Sequence, residues 1–436
     1  MGSLIVSWNR GDGPRTGFYT DDEVNGVYFL RVNNLKEHSI DLLDVKYIHR
    51  EVHEKTLQRT KVTRGDVIFA ISGTKDNLGT VSIIPDFIQE ANLNSALVRL
   101  DLDTNKVNKD FFCYFFDLNV ARRQIQFIGK GAAQNNLNNE EISQIKIPLP
   151  PLEIQILLVA EIEAARQTRK QKLAQADELL SRLDVYLLDQ LGLNIPGEID
   201  RQVFAIRLDQ IKSRLDSHSN QPRFRKLIQL LQSHRFPVLK LSSLATDIFS
   251  GTTPKSGGDA YTDNKLEGIP FIRSGEITKD GRVTEDNAIF IKPKIHQGLM
   301  RRSQLQQGDL LIAIVGATIG SVGVYNLPTS ANINQAIAAV RLDNSRVLPD
   351  FVRWFLSSPI GQAILDYLKR PVARANINLE EIGEILILIP PLEIQCSVIE
   401  QVDHTRLTMK RLRQEAETEW EAAKTRFERK LLGEEA

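Results

Sequence analysis

The sequence predicts an α+β fold in which two tandem domains are each followed by one long α-helix. Three observations predict it: a repeat that covers most of the 436 residues, short apolar runs that precede helical stretches in both halves, and two long stretches without proline or glycine. A chain of this length has room for two or three domains. Strands that come before helices, rather than alternating with them, are typical of the α+β class.

The repeat relates the two halves of the chain with an offset of 240 to 243 residues. Four blocks match in the same order, beginning at Phe18, Arg64, Ala91 and Leu137 in the first half and at Ala260, Gln307, Ala331 and Ile377 in the second. In the third block, for example, ANLNSALVRLD matches ANINQAIAAVRLD. The ordered matches indicate a duplicated domain, because the period is much longer than that of a solenoid repeat.

Within each copy, runs rich in Val, Ile and Phe predict strands. They lie at 67–71, 80–84 and 96–100 in the first copy and at 310–315, 321–325 and 337–342 in the second. Helical stretches follow at 109–127 and 349–369. The first copy has only MGSLIVSWNRGDGPRTG where the second has FPVLKLSSLATDIFSGTTPKSGG, so we expect a shortened opening strand in the first copy.

The hexamer PPLEIQ occurs at 150–155 and again at 390–395. Its first proline restricts the preceding residue, and neither proline donates a backbone hydrogen bond, so a strand should stop there. The second proline suits the first turn of a helix, where the missing N–H is not needed. Glu153 and Glu393 would then lie near the positive helix end. Each hexamer is therefore predicted to join a strand to a helix.

A long helix is predicted after each hexamer, from Leu152 to Leu191 and from Leu392 to Leu432. Forty residues at 1.5 Å each would give a rod of about 60 Å. Coiled-coil spacing relates Leu173, Ala176, Leu180, Leu183 and Leu187 in the first helix and Trp420, Ala423, Phe427 and Leu431 in the second. Such seams usually serve packing alone. We expect the two helices to pack against each other in antiparallel directions.

Composition narrows the class of protein. Lys plus Arg equals Asp plus Glu, 55 each, which leaves local basic patches possible. Two cysteines exclude a disulfide framework and fit a reducing cytosol. No run of 18 apolar residues predicts a membrane span, and the N-terminal apolar stretch is too short for a signal peptide. The chain is therefore expected to be cytoplasmic.

Motifs that would mark an enzyme are missing from the sequence. The two Pro-Pro pairs follow Leu and Ile rather than Asn or Asp, so they do not form the usual motif of adenine methyltransferases. No GxxxxGK[ST] occurs, and the spaced glycines of GATIGSVG at Gly316 lie between two strands, which predicts a turn. HREVH at His49 is interpreted as an exposed polar face, and no metal-ligand spacing is found. A binding protein is favoured over an enzyme.

Two domains of one kind, each followed by one long helix, resemble the specificity subunit of type I restriction-modification systems. The resemblance covers essentially the whole chain. It rests on IPLPPLEIQ at Ile147 and ILIPPLEIQ at Ile387, with NNEEI and NLEEI upstream. Also similar are SGTTPK at Ser250, IPFIRSGEI at Ile269, GDLLIAIVGATIG at Gly308 and RLDSHSNQPRF at Arg214. The first copy departs from the pattern, because SWNRGDGPR stands in place of SGTTP.

The resemblance implies two target recognition domains that read the two halves of a split site on double-stranded DNA. We expect recognition domains at 1–150 and 237–390, spacer helices at 151–193 and 391–436, and a basic linker at 194–236. The helices would dock two modification subunits, which bring S-adenosylmethionine and methylate adenine. Restriction subunits, with ATP and Mg, are a further partner that the sequence leaves open. No cofactor, metal or membrane contact is expected for this chain.

Base readout needs polar side chains on loops that reach a groove. Such loops occur at matching places in both copies and differ in sequence, KGAAQ against RPVAR for instance. The DNA-binding candidates are Arg15, Ser72, Thr74, Lys75, Asn77, Asn94, Lys130, Gln134, Asn135, Thr253, Lys255, Thr318, Asn334, Gln335, Lys369, Arg370 and Arg374. Turn formation and surface solvation are the alternative reason for each of them.

The segment from Arg201 to Lys240 contains nine Lys or Arg and two Asp. It could lie against phosphates or form a solvated linker. Two other functions stay open from the sequence: a scaffold that bridges two protein partners without DNA, and an enzyme with an unrecognised nuclease site.

Overall fold

The computed structural model describes residues 1–13, 16–36, 38–128, 135–193, 203–207, 216–255, 259–278, 280–369 and 376–434. They form two compact units. Unit 1 comprises Met1–Ala174 and Leu412–Ala436, and unit 2 comprises Gln175–Arg411. Among the described residues, no helix is long and apolar enough to cross a membrane.

Unit 1 is a mixed α+β unit. Its strands are β1 (Ile5–Arg10), β2 (Tyr19–Thr20), β3 (Val27–Leu30), β4 (Leu35–Lys36), β5 (Ser39–Ile40), β6 (Lys46–Ile48), β7 (Lys61–Thr63), β8 (Val67–Ala70), β9 (Ser72–Gly73), β10 (Val81–Ile83), β11 (Glu90–Leu93), β12 (Leu97–Leu102) and β13 (Asn135–Asn136). Its helices are α1 (Lys109–Asp117), α2 (Asn119–Ile128), α3 (Asn139–Gln144) and the first part of α4 (Leu152–Leu191). One sheet has the order β1-β12-β8-β10 and another the order β2-β6-β3-β11-β7.

Unit 2 repeats both sheets. Its strands are β14 (Val238–Lys240), β15 (Ala245–Ser250), β16 (Tyr261–Thr262), β17 (Ile269–Ile272), β18 (Ile289–Ile291), β19 (Gln304–Leu305), β20 (Leu310–Ala313), β21 (Val322–Val324), β22 (Ala331–Ile333), β23 (Ile337–Leu342) and β24 (Leu386–Leu388). Its helices are α5 (Pro222–Gln232), α6 (Pro293–Gln297), α7 (Pro349–Ser357), α8 (Pro359–Leu368), α9 (Leu379–Gly383) and the first part of α10 (Leu392–Leu432). The sheet orders β15-β23-β20-β21 and β16-β18-β17-β22-β19 match those of unit 1 strand for strand.

The duplication is confirmed by strand register. Ile5 pairs with Leu102 and Ala245 with Leu342, and a bulge follows at the same place in both pairs. The third block therefore keeps an offset of 240 residues throughout, so Asp101 corresponds to Arg341. The expected shortening at the start of the first copy is confirmed, since unit 1 lacks, within its described residues, a counterpart of β14. The shortening does not affect the next strand, because β1 and β15 have six residues each.

The strand β8 is apolar throughout because both of its faces are buried. Phe69 packs with the aromatic side chains of α1, including Phe112 and Phe116. Ile68 and Ala70 pack into a second cluster on the other face. In unit 2, β20 divides its side chains between two clusters in the same alternating way. The predicted strands at 67–71 and 310–315 are thereby confirmed.

Each predicted helical stretch after the sheets is two helices rather than one. In unit 2, Ser358 ends α7, and its side chain caps α8 by accepting a hydrogen bond from Gly361 N at 3.3 Å. In unit 1, the carboxylate of Glu428 accepts hydrogen bonds from Asn119 N (3.1 Å) and Val120 N (3.0 Å), and so caps α2. These caps satisfy N–H groups that the break leaves without intrahelical partners.

The long helices pack antiparallel in unit 1. Glu161 of α4 pairs with Lys430 of α10 at 3.0 Å, whereas Arg169, further along α4, pairs with the earlier Glu417 at 3.0 Å. The seam residues of α10 are buried against Leu158 and Ile162, and they are Trp420, Ala423, Phe427 and Leu431. The predicted seam is confirmed there.

In unit 2, Leu183 and Leu187 of α4 join a cluster with Val398 and Val402 of α10. The seam prediction is wrong at Leu180, which stays 39% exposed. The predicted end of α4 is confirmed at Gly192, whose φ of 64° suits glycine after a helix.

The last residue of each repeated hexamer is a buried glutamine whose side chain is hydrogen-bonded to backbone groups. We call this arrangement the glutamine lock. Gln155 is fully buried, and its Oε1 accepts from the backbone N of Asn108 at 2.9 Å. Its Nε2 donates to the carbonyls of Lys106 (3.0 Å) and Pro150 (2.8 Å). Asn108 is the N-cap residue of α1, so this glutamine fastens the beginning of α4 to the beginning of α1.

Gln395 makes the same lock in unit 2. It accepts from Leu348 N at 2.9 Å and donates to the carbonyls of Arg346 (3.4 Å) and Pro390 (2.9 Å). The predicted strand-to-helix joint is confirmed here, where β24 precedes the hexamer and pairs with β14. In unit 1 it is wrong, because residues 145–151 form no strand where no described β14 counterpart is present to pair with them.

Candidate nucleic-acid interface

The structure brings several candidate loops together at corresponding places in each unit. In unit 1, β9 and β13 pair, so Ser72 lies opposite Asn136 and the loop 72–77 meets the loop that ends at 136. Thr74 and Lys75 are exposed at the tip of this loop, and Asn77 is half-buried. In unit 2, a bridge between Val315 and Asn376 makes the equivalent connection.

The loop from Gly316 to Gly320 contains the half-buried candidate Thr318. Gly316 has a φ of 86° and Gly320 a φ of 90°, values that favour glycine. No helix follows within residues 316–325, which the structure describes throughout. The predicted turn is confirmed.

Asn94 and Asn334 form turns, which is one of the alternatives that the sequence left open. Asn94 Oδ1 accepts from Ala96 N at 3.3 Å, and Asn334 Oδ1 accepts from Ala336 N at 3.1 Å. Both side chains thus shape the turn that leads into the next strand. This role explains their presence in both copies without any contact to DNA.

The segment SGTTPK has a counterpart in unit 1 after all. Gly11 follows β1 as Gly251 follows β15, and each lies against the backbone of the Asn turn. A Cβ would lie 2.0 Å from Asn94 O at Gly11 and 1.7 Å from Ile333 O at Gly251, so both positions require glycine. RGDG at 10–13 therefore replaces SGTT at 250–253 position for position, and RGDGPR continues with Pro14 and Arg15, which lie outside the described residues. The sequence comparison missed this because the two segments share only Gly and Pro.

In unit 2, the SGTTPK loop contacts the Asn turn through side chains. The Thr253 hydroxyl donates a hydrogen bond to Oε1 of Gln335. Lys255 of the same loop is exposed. Two candidates from different loops, Thr253 and Gln335, are therefore next to each other.

Of the remaining candidates, the structure describes the side chain of Lys369 but not those of the others. Lys369 forms an ion pair with Asp366 at 3.3 Å, so its charge is partly neutralised. Arg15, Lys130, Gln134, Arg370 and Arg374 lie outside the described residues, as does the side chain of Asn135.

His53 is fully buried, so the interpretation of 49–53 as an exposed polar face is wrong at this residue, although His49 is exposed. Its two ring nitrogens lie 2.5 Å from the Asn92 side chain and 3.2 Å from Glu90. Burial lowers the pKa of His53. His296 holds Asn332 in the same way in unit 2, at 2.6 Å. These histidines fasten the sheet, and no group of three or more potential metal ligands occurs in the described part of the chain.

Part of the basic segment 201–240 is neither a solvated linker nor a free patch. Residues 222–232 form α5, which packs on α8 through the buried side chains of Phe224, Leu227 and Leu231. Arg223 pairs with Asp366 of α8 at 3.0 Å. The position of Pro222 at the first helical turn was the signal for this helix.

Unit 2 also contains a cleft of about 650 Å³ that the sequence did not indicate. It is lined by Thr253, Tyr261, Thr262, Asp263, Lys265, Phe271, Arg273, Ala288, Ile289, Phe290 and Asn334. The candidates Thr253 and Asn334 are thus placed at its edge. The sequence pattern did not predict the cleft, because the aromatic residues that line it are typical of strands.

The two units share one α+β fold and differ in their polar loops, as expected for a duplicated DNA-recognition domain. Residues 15–174 match the family model described as the type I restriction modification DNA specificity domain. The chain is thus similar to type I restriction-modification specificity subunits, as its sequence motifs indicated.

Individual relatives are distant in sequence. The type I restriction enzyme EcoBI specificity subunit of Escherichia coli is 24% identical over 316 residues, which cover 72% of this chain and 62% of that subunit. The EcoKI specificity subunit of Escherichia coli K12 is 21% identical over 379 residues, which cover 86% of this chain and 74% of that one. The match thus spans less than two thirds of the EcoBI subunit's length.

A solved structure supports the fold. It comes from work on complex assembly and conformational transition of the type I R-M system, and it covers 98% of both chains with a TM-score of 0.58 at 18% identity.

Proposed function

We propose that this chain reads a bipartite site on double-stranded DNA and directs methyltransferase subunits to it. One half-site would be read by residues 1–150 and the other by residues 237–390. The observation that carries the proposal is the contrast within the duplicated fold. The sheets and their order agree, whereas the loops 72–77 and 316–320 differ at the same place in the fold. Two domains that recognise different DNA sequences with the same fold require a shared sheet framework and different loops.

Catalysis would be supplied by partner subunits. The relatives are described as subunits of restriction enzymes, and no motif of a methyltransferase or an ATP-driven motor occurs in this sequence. We propose two modification subunits as partners, which would bring S-adenosylmethionine, and restriction subunits, which would use ATP and Mg. The two hexamers, each followed by a long helix, would provide two similar docking faces.

Methylated-base mapping tests the function. The chain would be expressed with a candidate methyltransferase partner in cells that lack other adenine methylation. We expect methylation at one split motif that disappears when this chain is omitted. Methylation that does not depend on the chain, or a chain that binds the partner but shows no salt-dependent DNA binding, would favour the scaffold function instead.

We further propose that the long helices set the length of the non-specific spacer. Four residues inserted into both α4 and α10 would add about 6 Å of helix, close to two base-pair steps of about 3.4 Å. The same mapping should then show a longer spacer with both half-sites unchanged. Altered half-sites with an unchanged spacer would contradict this.

A further inference from the structure

The cleft of unit 2 has an aromatic interior. Tyr261 and Phe271 lie with their ring centroids 6.4 Å apart, and Phe271 is only 1% exposed. Phe290 is half-buried on the neighbouring strand β18, and the Lys265 Nζ lies 5.9 Å from its ring centroid. A volume of about 650 Å³ falls within the range of about 300 to 1,000 Å³ that small-molecule sites occupy. Such walls suit a flat aromatic ligand.

Polar groups lie at defined positions around these rings. Arg273 is held in place, because its Nη2 donates to Glu276 at 2.7 Å and to Asn287 O at 3.1 Å. Its Nε is buried and has no hydrogen-bond partner within the described residues. Thr253 and Asn334 add polar atoms at the edge of the cleft. The cleft thus has both stacking surfaces and polar groups along its walls.

Comparison with unit 1 separates the framework of the cleft from its rim. Strand register places Tyr47 opposite Thr20 as Phe290 lies opposite Thr262, so these two aromatic positions correspond. Identical residues occupy six further positions in unit 1, namely Tyr19, Thr20, Asp21, Phe29, Arg31 and Asn94. The rim differs, because Glu23 replaces Lys265, Gly13 replaces Thr253 and Lys46 replaces Ile289. A shared framework with a different rim is what ligand selection requires.

We propose that the cleft of unit 2 binds one nucleotide of the DNA site, with its base turned out of the helical stack. This inference rests on the proposed function and deepens it. The base would stack on Phe290 and Tyr261, beside the Arg273 guanidinium that lines the cleft. Lys265 would lie near the adjoining phosphate, since it is exposed at the rim. The nucleotide is distinct from the adenines that partner subunits methylate.

Two features favour a base from DNA over a free small molecule. Thr253 belongs to a loop whose composition independently predicted DNA contact, and it lines the cleft. The exposed cation Lys265 is suited to a backbone phosphate. Turning a base out costs a few kcal/mol, which stacking on aromatic side chains can offset.

The test uses the full chain, its methyltransferase partner and duplexes that carry the mapped site. 2-Aminopurine replaces each nucleotide of the unit 2 half-site in turn, and its fluorescence is measured on binding. We expect a several-fold change at one position other than the methylated adenines. Phe290→Ala should abolish that change and weaken binding about ten-fold, in line with the loss of base stacking on an aromatic ring. Lys265→Glu, an exposed substitution that leaves the core intact, should weaken binding several-fold.

Tyr47→Ala at the corresponding position of unit 1 is the matched control and should leave the signal in the unit 2 half-site unchanged. Specific binding without any responding position, or a response that survives Phe290→Ala, would overturn the inference and leave the proposed function intact. Saturable binding of free nucleoside monophosphates that Phe290→Ala removes, without a DNA signal, would show a small-molecule site instead. No binding to the mapped duplex at all would count against the proposed function itself.

Discussion

Units 1 and 2 share two sheets of identical strand order, yet they differ in what covers those sheets. Unit 2 carries α5 on α8 and β14 beside β24. In unit 1, the position that corresponds to Tyr367 of α8 is Phe127, which is 76% exposed. Tyr367 packs instead against Phe224 of α5, with ring centroids 5.5 Å apart.

The difference teaches that a repeated sequence does not give a repeated local structure unless its neighbours are repeated too. The residues before PPLEIQ form a strand in unit 2, where β14 offers hydrogen bonds, and none in unit 1. The glutamine lock, by contrast, has its partners close along the same chain and is therefore made in both units.

The largest contrast is expected at the helix that only unit 2 carries. Phe224→Ala should lower the stability of unit 2 by about 3–5 kcal/mol, because Phe224 is 1% exposed and its loss leaves a cavity. Phe127→Ala, the matched change on the uncovered surface of unit 1, should cost about 0.5 kcal/mol or less. Hydrogen exchange followed separately in α2 and α8 measures both. Equal protection losses would mean that α5 adds nothing to unit 2.

The two glutamine locks should respond alike. Gln155→Ala leaves one buried N–H and two carbonyls without partners, which should cost about 2–3 kcal/mol in unit 1. Gln395→Ala should cost a similar amount in unit 2. The Asn108 and Leu348 amides should then exchange faster, each only in its own variant. An effect below about 0.5 kcal/mol in either unit would rule out the lock.

Acid should destabilise unit 1 through His38. Burial, followed by the nearby Arg166, lowers the pKa of His38 to about 3. The unfolded chain binds this proton near pH 6.5 and the folded unit does not, so stability falls as pH drops from 6.5 toward 3. At pH 5 the loss is about 2 kcal/mol.

Two aspartates of unit 2 contribute a slope of the opposite sign. Burial raises the pKa of Asp184 and of Asp403, so the folded unit binds their protons more readily than the unfolded chain. Their contribution to stability therefore grows as pH falls through the raised pKa values. Urea unfolding at pH 7 and pH 5, followed in β8 and β20, compares the units. His38→Asn, which tolerates the φ of 55° at this position, should flatten the slope of unit 1 alone.

The smallest contrast concerns an equivalent aspartate with different partners. Asp309 has a side chain only 1% exposed and receives two hydrogen bonds from Arg341 at 2.9 and 2.8 Å. The corresponding Asp66 is 3.9 Å from Arg99, which comes from another position of the strand. Arg341→Ala should cost about 1–2 kcal/mol, less than for a wholly buried pair because Arg341 is 29% exposed.

Arg99→Ala, as the matched variant, should cost less than about 1 kcal/mol, because Arg99 lies 3.9 Å from Asp66 and the Asp66 carboxylate is not fully buried. The two values come from the same urea unfolding experiment. A larger loss for Arg99→Ala would reverse the ranking of the two pairs.

Features set by local sequence were predictable, and features set by distant partners were not. The strand β20 followed from its apolar run, and the end of α4 followed from Gly192. The break between α1 and α2 did not, because the group that caps it, Glu428, lies 309 residues away along the chain. The cleft was not visible for the same reason, since Thr253, Phe290 and Asn334 come from three separate blocks. Within the predicted site, the sequence did not predict that the loop of Thr253 contacts the loop of Gln335.

The claim that each unit reads its own half-site is tested most directly by mapping methylated bases for two loop variants. One variant carries Thr74→Ala and Lys75→Ala in unit 1, and the other carries Thr253→Ala and Gln335→Ala in unit 2. The account predicts that each variant relaxes the sequence of one half-site, a different one in each case, while the other half-site and the spacer stay unchanged. If both half-sites changed together in either variant, or if neither changed in both, the account would be contradicted.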